Sequence, residues 1–188
     1  MTTSADLLDL IEAAVLGPSA GAQPPVFATV AGDRVKRPGD LPTQNDQYPI
    51  LKLRIVSESR QSLGKGSVQF QTTATIRVVG EVSAPAAIGD VAASTAESQL
   101  WALKRQYEIA IINSYPLFRV VEQLEGVQTQ LAFAADQSTH LAGIQSDFAF
   151  QFFEDEDDFA PIASDALTEV TAEDRQHPPS GFTANLPQ

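Results

Sequence analysis

A chain of 188 residues, 43% of them hydrophobic and none of them cysteine, can bury a real core but cannot build a disulfide framework or a thiolate metal site. Its net charge of −12 is unevenly spread: residues 1–135 carry 13 acidic and 11 basic side chains, a net of −2, and residues 136–188 carry 11 acidic ones against Arg175 alone, a net of −10. A near-neutral body with an acidic C-terminal portion follows, which excludes the cationic surface needed to grip nucleic acid by its phosphates.

The N-terminus, M-T-T-S-A-D-L-L-D-L, lacks the basic region and continuous apolar run of a signal peptide. No window approaches the roughly 18 apolar residues of a membrane span, so a soluble, cytoplasmic product is expected. Ser4 is the expected N-cap of a first helix in which Leu7, Leu8, Ile11 and Val15 recur at helical spacing up to Leu16. Gly17-Pro18 ends it. After a turn-rich link from Gly21 to Pro25, Val26 to Val35 reads as a strand with a Gly32-Asp33 turn near its end. Lys36 to Pro49 holds three prolines and has the composition of an exposed loop.

Ile50 to Val56 alternates Leu51, Leu53 and Ile55 against Lys52 and Arg54, a strand. The polar segment Ser57–Ser67 (S-E-S-R-Q-S-L-G-K-G-S) joins it to the next strand as a hairpin, longer than a tight turn needs and expected to project from the body. Its Gly64-Lys65-Gly66 lacks the spacing and the following helix of a phosphate loop. Val68 to Val82 is the expected central strand. It places Val68, Phe70, Thr72, Ala74, Ile76 and Val78 on one face and Gln69, Gln71, Thr73, Thr75, Arg77 and Glu81 on the other.

The strongest helix signal runs from Asp90 to Asn113, with Ala96, Leu100, Leu103, Tyr107, Ala110 and Ile111 on one stripe. Trp101, Ile109 and Ile112 widen that stripe, so the helix is expected to be heavily buried, in the core or against a neighbouring subunit. Lys104, Arg105, Glu97 and Glu108 take the wet side, and Pro116 marks the stop. Leu117 to Val121 reads as a short strand, Val127 to Phe133 as a better one, Asp136 to Ala142 as a turn, and Phe148, Phe150 and Phe152 as the returning arm of a last hairpin. The expected fold is α+β: a mostly antiparallel sheet of four to six strands with two helices packed on one face. Residues 1–153 form that domain, and residues 154–188 an extended acidic C-terminal tail. The sheet's polar face is left toward water or a partner.

Catalytic signatures are missing. His140 falls in an expected turn and His177 in the tail, neither with a carboxylate constellation, and there is no G-x-S-x-G, H-E-x-x-H or G-x-G-x-x-G. No enzymatic activity, cofactor or metal is expected. The run Glu154, Asp155, Glu156, Asp157, Asp158 lacks the spacing and glycine of a calcium loop. It reads as a solvated segment ending the last strand, as a docking strip for a basic partner, or as a chance divalent-ion site. Phe159-Ala160-Pro161-Ile162 is a short apolar clip that anchors on another surface or packs back on its own domain. The tail from Ser164 to Gln188 binds along a partner or is disordered. Candidate interaction residues are therefore Arg60 and Lys65 in the projecting segment, Glu154 to Asp158, and Phe159.

The order of elements over residues 5–153 resembles the tail terminator proteins of long-tailed bacteriophages, the group that includes the minor tail protein U of lambdoid phages. The features that carry the likeness are the N-terminal helix, a strand pair with the polar segment E-S-R-Q-S-L-G-K-G-S, the long strand V-Q-F-Q-T-T-A-T-I-R-V-V-G-E-V, a long helix and a final hairpin. The tail after Glu154 lies outside it. The resemblance implies a structural virion protein without activity or cofactor. Such proteins form a ring, usually hexameric, that caps the tail tube and meets the head-side connector or stopper, with DNA passing through the lumen without specific binding. No functional residue transfers position by position. Another neck, tube or baseplate component fits the same pattern, as does a small-ligand or peptide-binding module using the polar sheet face.

Overall fold

The computed structural model describes residues 2–19, 21, 23–37, 43, 47–66, 68–85, 91–136, 139–159, 169–172 and 182–185. The chain divides into two compact units, Met1–Asp158 and Phe159–Gln188. Helix α1 spans Ser4–Leu16. Thr3, one residue ahead of the expected Ser4, is its cap: the Asp6 amide donates to Thr3 Oγ1 at 3.2 Å and the Thr3 amide donates to the Asp6 carboxylate at 2.8 Å. This reciprocal pairing satisfies two otherwise orphaned N–H groups, and the Thr3 hydroxyl, donating to the Asp6 carboxylate at 2.7 Å, together with the Thr3 amide holds the Asp6 carboxyl below its ordinary value. Gly17 closes the helix at φ +92°, with its amide donating to Ala13 O at 3.0 Å. A Cβ there would stand 2.8 Å from the Ala28 nitrogen, so only glycine fits.

That close approach also explains why Val26–Val35 is not the expected strand. The Ala28 amide donates to Leu16 O and the Val26 amide to Ser19 O, both at 3.0 Å, which pins the segment to the end of α1. Turns at Thr29–Gly32 and Ala31–Arg34 then fold it again. What remains is β1, Val35–Lys36, parallel to the next strand at Leu51 and Lys52. Of the loop Lys36 to Pro49, the described Arg37 pairs with Asp9 and Glu12 of α1 at 2.6 and 2.5 Å; residues 38–42 and 44–46 lie outside the described set.

β2 (Ile50–Ser62) and β3 (Phe70–Pro85) form a long antiparallel hairpin. Most of the segment expected to project is therefore strand: Ser57 to Ser62 pair with Thr75 to Phe70, and the connection shrinks to the loop after Ser62, closed by the Leu63 amide on Gln69 O at 3.0 Å. Helix α2 (Val91–Ile112) follows, then a helical turn α3 (Tyr115–Phe118) where a short strand was expected. Pro116 sits at its start, where a missing N–H costs nothing, so it opens this turn as well as ending α2. β4 (Gln123–Asp136) and β5 (Thr139–Glu154) make the last hairpin. Its expected turn is narrower than Asp136–Ala142, and His140 belongs to β5, opposite Ala84.

The sheet order is β1-β2-β3-β5-β4, antiparallel except at β1. β3 is central, as its alternation predicts; Val68 lies before it and is exposed. Thr72, Ala74, Ile76, Val78, Val82 and Ala84 are buried on one face, opposite Phe152, Phe150, Phe148, Ser146, Ala142 and His140 of β5. Helix α2 lies on this face through Ala96, Leu100, Leu103, Tyr107 and Ile111, and α1 adds Leu7, Ile11 and Val15. Gly80 permits the approach, because a Cβ there would meet Leu103 at 3.1 Å and Ile144 at 3.4 Å. The Tyr107 ring stands edge-on to Phe148 with centroids 6.4 Å apart, and its hydroxyl shares a 2.7 Å hydrogen bond with Ser146. Burial pushes that phenol well above its ordinary value.

The second unit contains the antiparallel pair β6 (Glu169–Ala172) and β7 (Phe182–Asn185). The remainder of the expected extended tail lies outside the described residues.

Ile76 and Leu103 are fully buried, so Ile76→Asp or Leu103→Asp would place an unpaired charge in the core. Each is expected to abolish cooperative unfolding in a urea titration followed by circular dichroism. Phe148→Ala should retain the transition but lose about 3–5 kcal/mol.

Candidate functional site

The sheet's buried face is not apolar to its end. Past Ala74, the side chains of β2, β3 and β5 on that face become Glu58, Arg60, Thr72 and Glu154. Arg60 donates to the two Glu154 oxygens at 2.8 and 3.2 Å and lies 3.0 Å from Glu58. Thr72 Oγ1 also donates to Glu154, and Ser4 Oγ, at the start of α1, donates to Glu58. Arg60 and Glu154, singled out separately from the sequence, thus meet across three strands. The hydrogen bonds to Glu154 raise the Arg60 pKa still further. Glu154 is only 4% exposed, so the solvated acidic segment begins one residue later than the sequence implied.

Asp155 to Asp158 satisfy one another's backbone in a 3₁₀ turn, Glu156–Phe159. The Asp155 amide donates to the Asp158 carboxylate at 2.9 Å, and the Asp157 amide to the Asp155 carboxylate at 3.1 Å. Glu156, Asp157 and Phe159 are at the surface, and Lys65 is exposed in the β2–β3 loop. Among the described residues no cluster of three or more His, Asp or Glu side chains could hold a metal ion.

The sheet's other face is polar, with Arg77 gripping Asp147 at 2.7 and 2.8 Å and Lys52 pairing with Glu81 at 2.8 Å. Gln71, Thr73, Thr75 and Gln145 are half-buried around these pairs. Among the described residues no helix of the first unit covers this face.

Helix α2 also carries three large apolar side chains on its outward side, with Arg105 set among them. Trp101, Ile109 and Ile112 do not widen the buried stripe; they point away from the sheet and stay between 44 and 47% exposed. At 100° per residue they fall opposite Ala96, Leu103 and Tyr107. Tyr115, 73% exposed, and Phe118, 38% exposed, follow in α3. Beside it, Leu10, Ala13, Pro18, Ala28, Ala110 and Tyr115 line a pocket of about 450 Å³. Among the described residues no helix is long and apolar enough to cross a membrane. Large apolar side chains left half exposed beside the charged residues of α2 fit the edge of a protein contact. The sequence already carried this signal in Trp101, Ile109 and Ile112, but periodicity alone does not say which stripe meets the chain's own sheet.

Replacing Arg60 by Met strands a buried carboxylate. The expected cost is about 1–3 kcal/mol of stability, while Glu154→Gln, which retains the hydrogen bond from Thr72, should lose less. Urea midpoints of the two variants check this order.

The sequence matches no protein-family model and no curated protein.

Proposed function

We propose that this chain is a structural protein of a phage virion, forming a ring at the head-proximal end of the tail that caps the tail tube and meets the head-side connector or stopper. Supporting this reading is the element order of the first unit: helix, long hairpin, long helix, hairpin. The observation that carries it is the outward side of α2 with α3. Trp101, Ile109, Ile112, Tyr115 and Phe118 each stay between 38 and 73% exposed, an apolar load that a neighbouring subunit would cover. Closure of a head-to-tail contact by rotation turns such a subunit into a ring. The ring is proposed to be hexameric, assembled in the host cytoplasm and built into the virion. DNA would pass its lumen without specific contact. Acidic residues 136–188, if turned inward, would repel phosphate and keep that channel non-adhesive.

A second reading, a small-ligand or peptide module, is favoured by the pocket of about 450 Å³ beside α1, which has the size of a ligand cleft. Its lining offers Asn113 and Ser114 as polar anchors and, among the described residues, no charged group.

Negative-stain images and solution mass of the purified chain test the proposal. Closed rings that decorate the ends of tail tubes are expected; a monomer at every concentration overturns the ring. Trp101→Asp with Ile109→Asp should weaken assembly by about 2 kcal/mol or more, roughly 30-fold, as an interface anchor does. A urea titration of the double variant should still show one cooperative transition, lowered by about 1–2 kcal/mol, because both side chains are only half covered within one chain.

A further inference from the structure

We infer that the outward side of α2 docks the acidic turn of a second copy of this chain, Arg105 of one subunit receiving the carboxylates of Glu156 and Asp157 of the next. This rests on the ring reading above and names the contact that would build it.

Most cations of the first unit are already engaged. Arg37 holds Asp9 and Glu12, Lys52 holds Glu81, and Arg60 holds Glu58 and Glu154. Arg77 holds Asp147, and Lys104 holds Glu108. Arg34 donates to the carbonyls of Pro49 and Val30, and Arg54 has a partner too. Among the described residues, only Lys36, Lys65, Arg105 and Arg119 make neither an ion pair nor a side-chain hydrogen bond. That is unusual company in a chain with 24 acidic and 12 basic residues, where carboxylates are in excess.

The two lysines stand on β1 and in the β2–β3 loop, whereas the two arginines stand among large apolar side chains. At 100° per residue, Arg105 lies within about 40° of Trp101, Ile109 and Ile112 around α2. Those three are 44 to 47% exposed. Arg119 lies 5.7 Å from the centre of the Tyr115 ring. Arginine beside aromatic and aliphatic groups is the composition of an interface anchor. Its planar fork matches a carboxylate, and apolar neighbours that exclude water strengthen the pair.

Such a surface fits an occupant that is acidic and carries an apolar group beside its charge. The end of β5 and the turn after it offer both. Asp155, Glu156 and Asp157 are exposed, and Phe153 beside them is 48% exposed. The turn is already shaped by the Asp155 amide on Asp158 and the Asp157 amide on Asp155, so little ordering is left to oppose docking. Arg105 and these acids belong to the same compact unit, yet within one chain Arg105 meets no carboxylate. The pair therefore forms between chains. Acid against acid, or arginine against arginine, is repulsive, which disfavours a two-fold contact centred on either set. Unlike surfaces give the head-to-tail contact that closes into a ring.

Charge reversal in the full chain tests this. Arg105→Glu, and separately Glu156→Arg with Asp157→Arg, should each raise the concentration needed for ring formation by about tenfold or more, read by solution mass and negative-stain images. The substituted side chains are exposed, so each variant should keep one cooperative urea transition. Combining all the substitutions in one chain restores opposite charges, and ring formation should return to within about threefold of the native protein. Reversed variants that assemble like the native chain overturn the contact and leave the ring reading standing. Losses that the combination does not rescue also overturn it, because the residues then act separately. Arg105→Glu rings that form normally but no longer bind tail tubes give the surface to a different acidic partner, and overturn it too. Native monomers at all concentrations overturn contact and ring alike.

Discussion

The packing of α2 against β3 and β5 is the constraint on which the rest of the first unit depends. It requires Gly80, whose missing side chain lets Leu103 reach the sheet, and it is fixed laterally by the Tyr107 hydroxyl on Ser146. Around that contact Phe148 and Phe150 stack with centroids 6.2 Å apart, and Ile76 and Val78 fill the space beneath the helix. A helix seated so closely covers one face of the sheet only. The opposite face must then satisfy itself with polar groups, and it does so with cross-strand pairs such as Arg77 with Asp147.

Where α2 no longer reaches, the buried face changes character. At its far end Arg60, Glu154 and Thr72 replace hydrocarbon, and the first turn of α1 closes over them through Ser4 and Glu58. A charged pair there adds less net stability than apolar packing would, since both ions lose hydration. It does tie three strands and a helix start to one register. A one-residue slip of β2 or β5 would carry Arg60 or Glu154 to the other face and leave its partner buried alone.

Trp101, Ile109 and Ile112 on the outward side of α2 are apolar groups that the proposed ring would cover. Each is about half exposed, and the Lys104 ammonium lies 5.7 Å from the Trp101 ring.

Alternation and helical spacing by themselves determined the element types of β3, β5 and α2, because each is long and has one face committed to the core. They also determined the α+β class, with its helices on one side of a mostly antiparallel sheet. Short segments were decided elsewhere. Val26–Val35 has the residues of a strand but loses its pairing to the end of α1, where Ala28 must fit against Gly17. Ser57–Ser62 looks like a loop, yet it is held as strand by a ladder to β3 whose other half lies a dozen residues on. Leu117 to Val121 becomes a helical turn because Ser114 and Pro116 start one. The union of Arg60 with Glu154, 94 residues apart, was likewise invisible until three strands were in register. Local patterns record what each residue needs, burial or water. Which partner meets that need is a property of the folded chain, since only there do distant residues share a face.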